Sequence, residues 1–351
     1  MDFHEQLERV VRALGLSSQE EADLRASWVF QNEGLINMYS ENHLGTQPIR
    51  VTHNMLLHMF SNTYPSFPEK LQALVDQGKL NPTIHVTFEE ESIRSDGRSN
   101  TPFVNQQTRQ INLHESFLSY LWCISYSVYI LYVEKVDYPK VNKEAGEELY
   151  SISQEEITKA DELFGYARSL IAYYSPWEKK QMPNPELYLA QHRDYVEQTN
   201  LCYTAAAIFI LAHELTHIEK HIDQLDADTP ESNYLRFEEE ADQDAILHTI
   251  RIHDQLGPVA VNTGIVTGLL SMLYFSYNTT GERHPNVEDR ITAALETLDI
   301  NSNDPAWGMA CVGLELWERQ FSLNFDWLKD PDSSRTQYYY LIDQVKTRTS
   351  K

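Results

Sequence analysis

The stretch Ile208–Ile222 reads IFILAHELTHIEKHI, and it decides how the rest of the chain is interpreted. Apolar or small residues precede the HELTH segment at 213–217, and Glu214 is the only charged residue within that segment. At helical spacing His213 and His217 lie about 40° apart on one face, so both imidazoles reach the same point. A buried helix that carries these groups is costly unless something pairs them.

The pattern H-E-x-x-H is typical of a helix on which two histidines bind Zn²⁺ and the glutamate acts as general base. Glu214 lies about 100° around the helix from His213, close enough to hold a water at the open position of the metal. For a chain with 13 histidines, chance gives roughly 0.04 such patterns. The alternative is a core helix whose histidines are hydrogen-bonded and bind nothing.

A catalytic zinc needs a third protein ligand, and three adjacent glutamates, 238–240, lie on a second predicted helix at about 230–256. At 100° per residue, the face of Glu238 is mostly apolar or small and includes Ala241, Asp242 and Ala245. That face is expected to pack against the HELTH helix. Glu240 falls on the solvated side, and Glu239 lies between the two and stays the alternative ligand.

His221 continues the row of histidines at position i+8 from His213. The two lie about 12 Å apart along a helix axis, too far to bind one ion. We interpret His221 as a surface residue or as one that contacts a ligand.

These motifs resemble those of known peptidases. HELTH followed by Glu238-x-x-Ala-Asp242 resembles the motifs of the gluzincin metallopeptidases. Together with the later segment His284–Arg290 (HPNVEDR), this pattern is similar to that of the heat-shock and prenyl-protein-processing membrane peptidases. The HELTH helix, the overall size and the upstream segment 118–129 (LSYLWCISYSVY) resemble the phage-exclusion (Lit-type) peptidases. Those are bacterial cytosolic zinc enzymes that cut a host translation factor.

The resemblance implies His213, His217 and Glu238 as metal ligands and Glu214 as general base. It further implies that Asp242 accepts an N–H from a ligand histidine.

In the later segment, the resemblance suggests that His284 stabilises the oxyanion from a helix N-terminus that begins at Pro285. An ordinary surface histidine is the alternative for His284. Arg290 is expected to pair with an acid. Two further residues stay open for the oxyanion role, Tyr274 and Tyr277.

Outside these motifs the sequence predicts a mostly α fold with a small antiparallel sheet and a zincin-like core built on the HExxH helix. Two segments alternate like strands, near 83–88 and 109–113. By analogy with zinc peptidases, one of them is expected to be an edge strand that aligns a peptide. Further helices are predicted at about 186–223, 258–277, 285–298, 305–322 and 335–348.

No catalytic feature falls in residues 1–80, so this helical region is predicted to be regulatory or partner-binding, and 81–351 to be the catalytic domain. The apolar stretch Phe117–Val133 is shorter than the roughly 20 residues that span a bilayer. We interpret it as a buried helix, and a membrane segment is the less favoured alternative.

The composition limits the partners. The 52 acidic and 28 basic residues of the 351-residue chain give a net charge of −24, which repels phosphate backbones and disfavours nucleic-acid binding. Three separated cysteines (Cys123, Cys202, Cys311) have no metal or disulfide spacing, and the N-terminus lacks a secretory signal, so a cytoplasmic location is expected.

The sequence thus predicts a zinc-dependent endopeptidase that acts on a protein or peptide, and the phage-exclusion resemblance implies a toxic or phage-defence role against a host protein. The alternative is an inactive or triggered peptidase-like regulatory module that acts through protein partners. The intact Glu214 argues against this alternative, since a degenerate member would typically lose its base first. A zinc hydrolase with a non-peptide substrate also stays open.

Overall fold

Helices make up most of the chain in the computed structural model, which describes residues 56, 58–81, 84–87, 101–172, 177, 182–185, 188–224, 230–279 and 284–349. The α-helices are α1 (Phe67–Asp76), α2 (Glu115–Tyr132), α3 (Tyr138–Ala145), α4 (Gln154–Ala172), α5 (Arg193–Thr216), α6 (Glu231–Thr249), α7 (His253–Leu256), α8 (Pro258–Leu273), α9 (Val287–Thr297), α10 (Pro305–Phe321) and α11 (Ser334–Thr349). Helices predicted within residues 1–55 lie outside the described residues.

A small sheet precedes the helical core. Its strands β1 (His85–Thr87), β2 (Phe103–Asn105) and β3 (Gln110–His114) lie in the order β1-β3-β2. The expected antiparallel pairing is confirmed between β2 and β3, whereas β1 runs parallel to β3. Among the described strands β3 is central and β1 lies at an edge, so the predicted strand near 83–88 has the edge position that was expected of one of the two, and the strand near 109–113 does not.

The helix after β3 is buried almost completely. His114 is the N-cap of α2, and its ring accepts the N–H of Ser116. A helix whose only charged residue is Glu115, in its first turn, has to be covered by protein on nearly every face. α4, α5 and α10 pack around it.

Two helical stretches, Glu115–Ala145 and Ala190–Gln224, are long and apolar enough to cross a membrane by length and composition alone. Their most apolar windows are 94% and 78% buried inside the fold. Buried core helices of soluble proteins reach the same length and hydropathy, so these two stretches are weak evidence for a membrane span.

α5 is covered by two helices that matter for the site, α6 and α8. α8 crosses it closely at Gly264, where an added Cβ would lie 2.5 Å from the Cβ of Ala205 and 2.7 Å from the carbonyl oxygen of Cys202. α6 approaches through Ala241 and Ala245, both 0% exposed. Small residues thus bring both helices close to the backbone of α5.

The N-terminal part of the described chain packs into the same core. Leu56, Phe60, Phe67 and Leu74 are all buried and belong to one cluster with the central helices. The boundary predicted at residue 80 therefore does not coincide with a gap in the hydrophobic core.

Candidate metal and catalytic site

Two histidine rings converge at the C-terminal end of α5. The Nε2 atoms of His213 and His217 lie 3.0 Å apart, and their ring planes are 77° from each other. Such a contact is favourable only if one nitrogen carries a proton or both face the same cation. The i, i+4 spacing on one helix face produces this arrangement, as the sequence predicts.

α6 brings Glu238 to the same point. Its Oε2 lies 3.3 Å from Nε2 of His213, and its Oε1 lies 3.4 Å from Nε2 of His217. The ligand atoms of the three residues all lie within 4.8 Å of one another. Glu238 is 8% exposed, and both of its carboxylate oxygens face imidazole nitrogens. The three side chains form a group that can hold a metal ion.

The surroundings keep Glu238 charged. Burial alone would raise the pKa of its carboxyl, but the neighbouring rings of His213, His217 and His284 hold it well below its usual range. A buried carboxylate facing imidazole nitrogens is a typical donor set for a transition metal.

Glu214 lies beside this group. Burial raises the pKa of its carboxyl, while the nearby His213 and His217 act in the opposite direction. A partly desolvated carboxyl with a raised pKa is suited to accept and return a proton.

Asp242 contacts His213 from α6, one turn after Glu238. Its Oδ1 lies 3.0 Å from Nδ1 of His213 and 2.7 Å from Nη2 of Arg290, while its Oδ2 lies 2.6 Å from Nε of Arg290. An N–H at Nδ1 of His213 donates to this carboxylate and leaves Nε2 free for a metal. The contact that the resemblance implies for Asp242, and the acid partner expected for Arg290, are both present.

The contact with Asp242 changes the pKa of His213. Burial alone would lower the pKa of His213, but its contacts with Asp242 and Glu238 outweigh burial and raise the pKa to about 10. Arg290 and His213 in turn hold the pKa of Asp242 below its usual range, against the effect of burial.

His217 has a different partner. Its Nδ1 lies 3.0 Å from Nδ1 of His221, which is 0% exposed and stacks on Phe237 at 4.4 Å between ring centroids. The interpretation of His221 as a surface residue was therefore wrong, and its contact with a proposed ligand is present. Both histidines lie in a π-turn, His217–His221, that continues α5.

Glu240 reaches this second pair. Its Oε2 lies 3.3 Å from Nε2 of His221, and its Oε1 lies 2.7 Å from Nζ of Lys220. Helix phase alone predicts that Glu240 is solvated. Its side chain is 42% exposed, so it is less buried than Glu238 but not fully in solvent. Glu239 is exposed. The i+4 spacing of His217 and His221 was the sequence signal for the contact between those two rings.

His284 lies at the rim of the site, 61% exposed, with Nδ1 2.9 Å from Oε2 of Glu238. It is not at a helix N-terminus, because α9 begins at Val287 with Asn286 as its N-cap. Pro285 therefore precedes the helix, contrary to the expectation.

The two tyrosines left open for the oxyanion role lie in different surroundings. Tyr274 is buried and donates to the carbonyl of Gly313, so it is part of the core. Tyr277 is 71% exposed.

Comparison with protein families gave a match. The family model described as Peptidase U49 matches residues 111–310, more than half of the chain. The matched segment runs from β3 into α10 and includes both the HELTH motif and Glu238. Comparisons with curated proteins and with solved structures gave no significant match.

Proposed function

Since the chain belongs to the Peptidase U49 family, we propose that it is a zinc-dependent endopeptidase that hydrolyses a peptide bond in a protein substrate. The observation that carries the proposal is the convergence of His213, His217 and Glu238, with their ligand atoms within 4.8 Å of one another. Glu214 is the adjacent carboxyl that this chemistry requires.

The donor spacing suits zinc. With zinc–nitrogen and zinc–oxygen bonds near 2.0–2.1 Å, two ligand atoms of a tetrahedral site lie about 3.3 Å apart. The three separations here are 3.0, 3.3 and 3.4 Å. Two imidazoles and one carboxylate also match the ligand set of catalytic zinc peptidases, and His213 would give up its Nε2 proton on binding the metal. The residues present therefore fit this metal.

A zinc ion held by these three residues would polarise the scissile carbonyl and lower the pKa of a bound water. Glu214, beside these ligands, would take a proton from the attacking water and pass it to the leaving amine. His213 is held in place by Asp242 and Arg290 throughout. His284, whose Nδ1 lies 2.9 Å from Oε2 of Glu238, would donate from its other nitrogen to the substrate oxygen.

The substrate class is inferred from the resemblance and from the charge of the chain. The resemblance to phage-exclusion peptidases favours a cytoplasmic host protein as substrate and a role in phage defence. The net charge of −24 favours polypeptide over nucleic acid. A regulatory partner that acts through the N-terminal 80 residues belongs to the same proposal.

The test compares the wild type with Glu214→Gln. We expect one zinc per chain in both proteins by mass spectrometry, because Glu214 is not a ligand. The wild type should cleave an unfolded protein and lose this activity with a chelator, whereas Glu214→Gln should be slower by at least about 10³-fold.

A wild type without zinc would contradict the metal site. Loss of zinc or of fold in Glu214→Gln would contradict its assignment as the base. One zinc and no cleavage of any protein would instead favour the regulatory module. Terminal proteomics of cells that express the two forms would then identify the natural substrate.

A further inference from the structure

The two histidines of the site have N–H acceptors of different kinds. His213 faces the Asp242 carboxylate directly. His217 faces another imidazole, that of His221, which in turn faces the Glu240 carboxylate. We call His217, His221 and Glu240 the His221 relay.

The geometry of the relay allows two proton arrangements. In the first, Nδ1–H of His217 donates to Nδ1 of His221, and Nε2–H of His221 donates to Glu240. In the second, Nδ1–H of His221 donates to His217, whose own proton then lies on Nε2. Only the first arrangement leaves the lone pair of His217 Nε2 directed at Glu238 and His213, where a metal ion would bind.

Glu240 distinguishes the two arrangements. In the second, the lone pair of His221 Nε2 would face a carboxylate oxygen 3.3 Å away, which is repulsive. In the first, that oxygen accepts a hydrogen bond from His221. The lone pair of His217 Nε2, although 3.4 Å from Oε1 of Glu238, can then accept an N–H from Nε2 of His213 at 3.0 Å. Lys220 holds the carboxylate in place, with its Nζ 2.7 Å from Oε1 of Glu240 and 2.6 Å from Oδ2 of Asp244.

Packing fixes the orientation of the His221 ring. The ring is fully buried against Phe237.

We propose that His221 and Glu240 are positioning residues that fix His217 in its Nδ1–H tautomer and so keep Nε2 available as a metal ligand. This inference rests on the proposed zinc site and adds two residues to it. The carboxylate at the outer end is 42% exposed, so the tautomer of a buried ligand is set from the protein surface.

The first test measures zinc affinity by competition with a chromophoric chelator. His221→Phe keeps a ring against Phe237 but removes the acceptor, and we expect about 10–100-fold weaker binding. His221→Asn places an amide oxygen near the position of Nδ1 and should recover part of the affinity. Glu240→Ala should weaken binding by less than His221→Phe, and the matched Glu239→Ala should leave it unchanged.

The second test reads the tautomer itself. In metal-free protein labelled with ¹⁵N-histidine, long-range proton–nitrogen spectra distinguish Nδ1–H from Nε2–H. The wild type and Glu239→Ala should show His217 as the Nδ1–H form, and Glu240→Ala should shift the population toward Nε2–H.

Wild-type affinity in both His221→Phe and Glu240→Ala would overturn the relay, as would an unchanged tautomer in Glu240→Ala. Because Glu240 is partly exposed, that variant should fold even if His221→Phe does not. A wild type that binds no zinc would contradict the proposed function, and the nitrogen spectra would still decide whether the relay exists.

Discussion

Glu238 and Glu239 are adjacent in sequence but differ in their surroundings. Glu238 faces two imidazole nitrogens, and Glu239 points to solvent. We expect Glu238→Ala to lose its stoichiometric zinc and its activity, because it removes one of three ligands. Glu239→Ala removes the same charge one residue away and serves as control. Metal analysis by mass spectrometry checks both. If Glu239→Ala lost the metal while Glu238→Ala kept it, the ligand would be misassigned.

At this scale the sequence predicted which glutamate faces the histidines, because helix phase fixes the direction of a side chain. It did not predict the contact of Glu240 with His221. Phase gives a direction around one axis, whereas this contact depends on how α6 lies against the π-turn at the end of α5. No periodicity in the sequence specifies that arrangement.

Among the helices, the contact between α5 and α8 depends on a glycine. In Gly264→Ala the new Cβ would lie 2.9 Å or less from a side-chain atom and two backbone atoms of α5. Since a backbone cannot move aside, we expect a loss of about 1–3 kcal/mol in unfolding free energy. Gly165→Ala is the control, because that exposed position in α4 has nothing within 4 Å.

In a helix, alanine is favoured over glycine by about 1 kcal/mol, so Gly165→Ala should be slightly stabilising. Urea unfolding measures both variants. A Gly264→Ala protein as stable as the wild type would show that α8 can shift without cost.

His248 links α6 to the segment before α1. Its ring packs on Phe67, and its Nε2 lies 3.0 Å from Oγ1 of Thr63. Its pKa is lowered to about 4, first by burial and then by the charges of Lys70 and Arg251. In the unfolded chain the imidazole of His248 takes up a proton near pH 6.5. The contribution of His248 is therefore present above that pH and is lost progressively as the pH falls toward 4.

We expect the free energy of unfolding to fall by about 2 kcal/mol between pH 7 and pH 5 because of His248. In His248→Phe this loss should disappear, while the pH dependence from other groups remains. His58→Phe, at an exposed position in the same segment, is the control and should behave as wild type. Urea unfolding at the two pH values provides the comparison, and an equal pH dependence in all three proteins would contradict the role of His248.

The helix positions were mostly predictable, since capping residues and apolar periodicity are local signals. The pairing of the strands was not. Alternation identified segments near 83–88 and 109–113, but the partner of a strand depends on contacts far along the chain. The start of α9 was misjudged because a proline suits the first turn of a helix, and it also suits the residues just before one.

For the whole molecule, the buried side chains set the limits of any truncation. A chain that begins at residue 81 loses Leu56, Phe60, Phe67 and Leu74, each at most 5% exposed. Their burial stabilises the fold on the order of 6–12 kcal/mol, comparable with the total stability of a typical protein. We therefore expect this truncated chain to unfold and to bind no stoichiometric zinc.

A chain that begins at residue 56 keeps all four side chains and should keep its zinc. Circular dichroism and metal analysis compare the two truncations. A folded, zinc-loaded chain from residue 81 would instead support the separate N-terminal region that the sequence predicted.

The π-turn at His217–His221 also affects how relatives should be aligned. In this turn the N–H of Ile222 bonds to the carbonyl of His217, five residues back instead of four. Geometrically this equals one residue inserted into a helix. A relative whose helix stays regular there would be one residue shorter after its HELTH motif. An ungapped alignment would then pair His221 with the wrong position and hide its counterpart.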